Sequence, residues 1–118
     1  MSHHAILHGN GQIAEFDGEG VLLANAGDAR DLILAGRSAN WVALDESRVA
    51  AAFFDLRSGI AGDVLQKFVN YRMKLAILGD ISRYTDQSES LKALVRESNR
   101  GRDVAFLPNL DALIAMVG

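Results

Sequence analysis

Residues 53–80 read FFDLRSGIAGDVLQKFVNYRMKLAILGD. An extended apolar segment leads into a small-residue turn with a hydroxyl, then an amphipathic helix, then a short apolar run closed by Gly79-Asp80. That order is the sequence form of a crossover unit, in which a helix joins two parallel strands. The helix is expected over residues 59–72. Ile60, Val64 and Phe68 lie four apart, as do Ala61, Leu65 and Val69, while Asp63, Gln66, Lys67 and Asn70 take the other face. Ser58 and Gly59 then fall at its N-terminus, where backbone N–H groups lack intrahelical partners and attract anions.

The same alternation extends in both directions. Gly9, Gly11, Gly18 and Gly20 punctuate short apolar runs at 5–7, 13–16 and 21–24, the pattern of strands joined by tight turns, with Gly9-Asn10-Gly11 as a hairpin loop. Asp28 is the expected cap of a helix reaching about Arg37, with Ala29, Leu32, Ile33 and Gly36 on one face. Trp41-Val42-Ala43-Leu44, residues 75–78 and residues 104–107 are continuous apolar runs, as in strands covered on both sides. Asp86 with Glu89 resembles a capping box that opens a helix carrying Leu91, Leu94, Val95 and Ser98 inward. Glu97-Ser98-Asn99-Arg100-Gly101 reads as that helix's end, with a left-handed Gly or Asn. Pro108-Asn109 caps a last short helix with Leu110, Leu113, Ile114 and Val117 apolar. The expected fold is a single α/β domain over residues 1–118, with a mixed four- to five-stranded sheet and about four helices packed on it. Residues 1–11 are expected to form a peripheral N-terminal strand or hairpin arm.

The totals limit the function classes. The 118 residues are enough for one self-sufficient core. Hydrophobic residues make up 49% and charged residues 23%, as in ordinary globular chains. No apolar run approaches the roughly 20 residues of a membrane span. MSHHAILHGNG lacks the basic flank and long apolar stretch of a signal peptide. Without cysteine there are no disulfides, thiolate nucleophiles or cysteine-bound metals. A cytoplasmic protein with no membrane partner is expected. Twelve basic against fifteen acidic side chains give a net charge of −3 with no basic cluster, which argues against nucleic acid.

Two resemblances attach to particular residues. Val42-Ala43-Leu44-Asp45, the segment VAAAFFD at 49–55, the turn Leu56-Arg57-Ser58-Gly59, and the tail LKALVRESNRGRDVAFLPNLDALIAMVG resemble the element order of a STAS domain, the fold of anti-sigma-factor antagonists. The likeness covers residues 12–117 in pattern, and in the turn only Ser58 and Gly59 match residue by residue. It implies a STAS-like regulatory module, and it places at Ser58 the serine that a partner kinase phosphorylates in those antagonists. The block FFDL…GIAG…LQKF.NYR.KLAILGD, followed by ESNRG, is also similar to a bacterial family of small stand-alone proteins known as a domain of unknown function. That similarity implies a free-standing cytoplasmic protein and no particular activity.

Ligands in an open sheet tend to sit beyond the C-terminal ends of the strands. The residues there are Asp45, the turn Arg57, Ser58, Gly59 and Ile60, Asp80 with Ser82 and Arg83, and Pro108-Asn109. Ser58 is either an N-cap or a phosphorylation and anion site, with Arg57 and the Ile60 amide as anion partners. Asp45, Asp55 and Asp80 are turn formers, or carboxylates for acid–base work. Gln66, Asn70 and Tyr71 give a polar face that is solvated or meets a partner. His3, His4 and His8 include an i, i+4 pair but no nearby carboxylate or cysteine, so no metal and no cofactor is expected. The common enzyme signatures are absent. Three functions stay open: a non-enzymatic module that presents the Ser58 turn and the following helix to a protein partner (a kinase or regulator); a nucleotide, oxyanion or other small-ligand domain on the same rim; and an enzyme using the three aspartates. The chain is a monomer or a homodimer in any of them.

Overall fold

The computed structural model describes residues 5–117. Five strands form one sheet in chain order: β1 (Ile6–His8), β2 (Ile13–Glu15), β3 (Trp41–Asp45), β4 (Lys74–Leu78) and β5 (Val104–Leu107). β1 runs antiparallel to β2, and the remaining pairs are parallel. The loop between β1 and β2 has Gly9, Asn10 and Gly11 all at positive φ, a path that glycine and asparagine adopt at least cost.

Alternation along each strand divides its side chains between two faces. On the first, Ala14, Val42, Leu44, Leu75, Ile77, Val104 and Phe106 share one core with α1 (Ala26–Ala35), α2 (Ile60–Asn70) and α4 (Glu89–Arg100). Ala29, Leu32, Ile33, Ala61, Val64, Phe68 and Leu91 are the helical contributions. On the second, Ile13, Trp41, Ala43, Ala76, Leu78 and Ala105 pack with Leu113 of α5 (Leu110–Val117). The three crossover helices therefore share one face of the sheet. α5, with Leu110, Ile114 and Val117 against the same cluster, serves the other. A single turn, α3 (Ser82–Thr85), precedes α4. Among the described residues no helix is long and apolar enough to cross a membrane.

Several boundaries differ from the expected ones, each for a local reason. Asn25, not Asp28, caps α1: its side chain accepts the Asp28 amide at 2.9 Å, while the Asp28 carboxylate accepts the Ala24 amide at 2.9 Å. This is a variant of the capping box, with Asp in the usual place of Glu and its bond made to the amide one residue before the cap. Ser88, not Asp86, caps α4, accepting from the Leu91 amide at 3.1 Å, and Asp86 closes α3 instead. Gly101 ends α4 at φ −84°, outside the left-handed region. Residues 21–24 contribute one bridge, Leu23 to Val49, rather than a strand. The segment expected to be extended before the turn coils as 3-10 helix at Ala51–Phe54. An extended chain would send adjacent side chains to opposite sides. Here Phe53 and Phe54 are both buried, their rings 5.2 Å apart and edge-on.

α2 also ends earlier than residue 72. Arg72 adopts φ +56°, its amide bonds to the Val69 carbonyl, and the Met73 amide bonds to the Phe68 carbonyl at 2.9 Å. These are the two bonds of a Schellman stop, with Met73 and Phe68 both buried as its apolar contact. Val69 lies outside the buried stripe, 52% exposed, and Leu65 is half-buried.

Arg48 holds the exits of β2 and β3 together. Its side chain is buried, and its guanidinium donates to the carbonyls of Phe16 (3.2 Å), Asp17, Glu19 (3.1 Å) and Gly20 (2.9 Å). Its own carbonyl accepts the amides of Leu22 and Leu23. At the far edge of the sheet, the Asn99 side chain accepts from the Phe106 amide at 2.7 Å and donates to the Phe106 carbonyl at 3.1 Å. The outward-facing backbone of β5 is satisfied there without another strand.

Phe68 is fully buried between α2 and the sheet. Phe68→Ala is expected to cost about 3–5 kcal/mol in a denaturant titration, as core aromatic truncations do. Arg72→Gly should gain about 0.5–1 kcal/mol, the left-handed penalty less the extra chain entropy of glycine. A shift of the midpoint to lower denaturant would contradict the Schellman geometry.

Candidate functional site

The C-terminal ends of β3 and β4 bring Asp45, Glu46, Gly79, Asp80, Ser82 and Arg83 into one rim. Gly79 has φ +120°, and a Cβ there would lie 2.9 Å from the Glu46 Cγ and 3.4 Å from the Asp45 Oδ1, so only glycine fits without strain. Arg83 spans the rim to Glu46 with both guanidinium nitrogens, at 2.6 and 3.3 Å. It also lies 4.5 Å over the Tyr84 ring, which stacks on Phe54 at 4.3 Å. The bond to Glu46, then that to Tyr84, holds the guanidinium's pKa above its ordinary value.

Each expected aspartate closes its own turn. Asp45 accepts from the Ser47 amide at 2.9 Å, Asp55 from the Arg57 amide at 3.1 Å and Asp80 from the Ser82 amide at 2.8 Å. A cleft of about 620 Å³ is lined by Phe54, Asp55, Arg57, Tyr84 and Ser88. A second, of about 440 Å³, is lined by Gly79, Asp80, Ser82, Phe106 and Pro108. Asp55 faces one and Asp80 the other, and neither cleft collects all three carboxylates. Asn109 caps α5 through the Ala112 amide at 2.9 Å.

The turn before α2 is exposed. Ser58 donates its hydroxyl to the Ala52 carbonyl at 2.7 Å and accepts the Ile60 amide at 3.2 Å. Gly59 sits at φ +79°, and its amide bonds to the Leu56 carbonyl. The Arg57 side chain is 93% exposed, with Nε 3.3 Å from Asp55. All four amides from Arg57 to Ile60 therefore have intramolecular acceptors. On α2, Gln66 donates to Asn70 at 2.8 Å beside the exposed Val69. Tyr71 is the helix C-cap, 43% exposed.

His8 faces Glu15 across the β1–β2 hairpin at 3.0 Å, while His3 and His4 lie outside the described residues. Among the described residues no three His, Cys, Asp or Glu side chains are placed to hold a metal ion. Sequence reasoning missed Glu46, Arg48 and Asn99. Their partners are distant along the chain or are backbone groups, so no local spacing marks them.

Asp80 is held below the ordinary aspartate pKa by the Ser82 amide bond first and by the Ser82 hydroxyl second. A carboxyl depressed in the native state adds stability that is complete above its unfolded pKa and is lost as the pH falls through the lowered value. An NMR titration should find Asp80 titrating below the ordinary aspartate value. Ser82→Ala should move it part of the way up, because the backbone bond survives. An unmoved midpoint would contradict the hydroxyl's part in it.

No curated protein and no solved structure matches the chain. One family model does, over residues 8–117, taking in every strand and helix except the start of the β1 arm. By that match the chain belongs to the family described as Domain of unknown function (DUF4180).

Proposed function

We propose that the chain is a non-enzymatic binding module of the bacterial cytoplasm that docks a protein partner along α2. The carrying observation is the exposure of large apolar side chains at one end of the helical layer. Val69 and Tyr71 close α2, 52% and 43% exposed, and Leu34 closes the neighbouring α1, 40% exposed. Both helices follow parallel strands and pack together, so these three residues lie at the same end of the layer. The bonded Gln66–Asn70 pair sits next to them with little side-chain entropy left to lose.

Ser58 stands at the other end of α2, about 16 Å away at the helical rise per residue. A partner lying along the helix would touch both ends. The resemblance to STAS antagonists adds a control point. Phosphate on the exposed Ser58 would suit the helix dipole and so spare the fold, while placing charge on the docking face. The oxyanion alternative at the same turn has less support, since the amides of residues 57–60 already have acceptors. The enzyme alternative has less still, since each aspartate is bonded within its own turn.

The test is an affinity capture from host lysate with wild type, Val69→Lys and Ser58→Asp, each first checked by thermal melting. The expected outcome is a partner held by wild type, lost with Val69→Lys and weakened with Ser58→Asp. Melting temperatures should stay within a few degrees, because both sites are exposed. Equal capture by all three proteins would overturn the α2 surface.

A further inference from the structure

At the opposite end of the sheet from the rim, on the face covered by α5, lies a cleft of about 290 Å³. Trp41 and Lys74 are register partners on β3 and β4, so their side chains stand next to each other in its wall. Ala105, Met116 and Val117 add apolar surface, and Arg102 stands at its margin. The Lys74 ammonium lies 5.7 Å from the Trp41 ring centroid.

Two observations point to a ligand. The ion pairs among the described residues are His8–Glu15, Arg57–Asp55, Arg83–Glu46 and Lys92–Glu89, so neither Lys74 nor Arg102 is matched by a carboxylate of a described residue. Asp103, next to Arg102 in the chain, is in none of those pairs either. Trp41 is only 6% exposed, yet its indole N–H bonds to no described residue and is not a sealed, unsatisfied donor. Its ring lines the cleft together with the two cations. A concave site with an aromatic wall and a few converging donors is the usual form of a small-ligand site.

We propose that this cleft binds a small carboxylate with a compact apolar body. The carboxylate meets Lys74, Arg102 and the indole N–H, and the apolar part lies against Ala105, Met116 and the Trp41 ring. The volume admits a body of a few carbons and excludes a dinucleotide or a long acyl chain. This site is separate from the α2 surface, and neither proposal depends on the other.

Trp41 is the chain's one tryptophan, so its fluorescence reports on the cleft directly. The probe is hexanoate, which does not absorb where indole is excited, with acetate and 1-hexanol as the charge-only and apolar-only comparisons. Hexanoate should change the emission saturably, and both comparisons should bind about tenfold more weakly or worse, each lacking one of the two contacts. Added salt should weaken hexanoate and leave hexanol unchanged. Lys74→Met alters the indole's surroundings by itself, so that variant is followed by NMR through the amides of Gly101, Arg102 and Ala105. Lys74→Met and Arg102→Met should each weaken hexanoate by about fivefold to tenfold, as loss of a charged hydrogen bond does. The cations would instead serve only the nearby helix C-termini if either variant lowered the melting temperature and left hexanoate binding unchanged. That result, equal binding of hexanoate and hexanol, or no saturable response would overturn the proposal.

Discussion

Three alanines side by side, Ala43, Ala76 and Ala105, set the thickness of the molecule. They stand at the centre of one sheet face, where a larger side chain would push α5 away. The positions that alternate with them, Val42, Leu44, Leu75, Ile77, Val104 and Phe106, are mostly large and carry the deep core. The sheet thus holds the three crossover helices on its bulky side and α5 on its lean side. With all three crossovers on one face, neighbouring parallel strands never send their helices to opposite sides, and the crevice that such a reversal opens does not form between them. The rim at the strand ends is accordingly bridged by short contacts, with Arg83 on Glu46 and Gly79 against Asp45, instead of opening into one deep pocket.

The parts of the fold legible in the sequence were those fixed by local pattern. β3, β4 and β5 are continuous apolar runs between turn residues, and α2 carries a stripe that only a helix can bury on one side. Adjacent phenylalanines hid the 3-10 coil at Ala51–Phe54, because their shared burial is a tertiary fact. The stop at Arg72 was hidden too. An arginine in the left-handed region carries no mark of it, and the cause is the buried contact between Met73 and Phe68.

For the candidate site the division is similar. Ser58 at the head of α2 and the aspartates at their turns follow from spacing alone. The long-range contacts around them do not, since Arg48 reaches back to residues 16–20 and Arg83 to Glu46. Trp41 and Lys74 read as the ordinary first residues of two strands, and only the register of β3 on β4 places ammonium over indole. The expectation of ligands beyond the strand C-termini belongs to doubly wound sheets, whereas the three crossover helices here share one face.

Asn99 gives the sheet a direction of growth. By taking both outward groups of Phe106, one side chain fills the place of a sixth strand at that residue, so a chain pairing there would have to break two bonds first. Among the described residues the other border has no such plug: β1 is three residues long, with Ile6 and Leu7 exposed on its two sides. The two margins of the sheet are thus unlike: a strand added beside β5 must displace Asn99 from Phe106, and one added beside β1 meets no such side chain among the described residues.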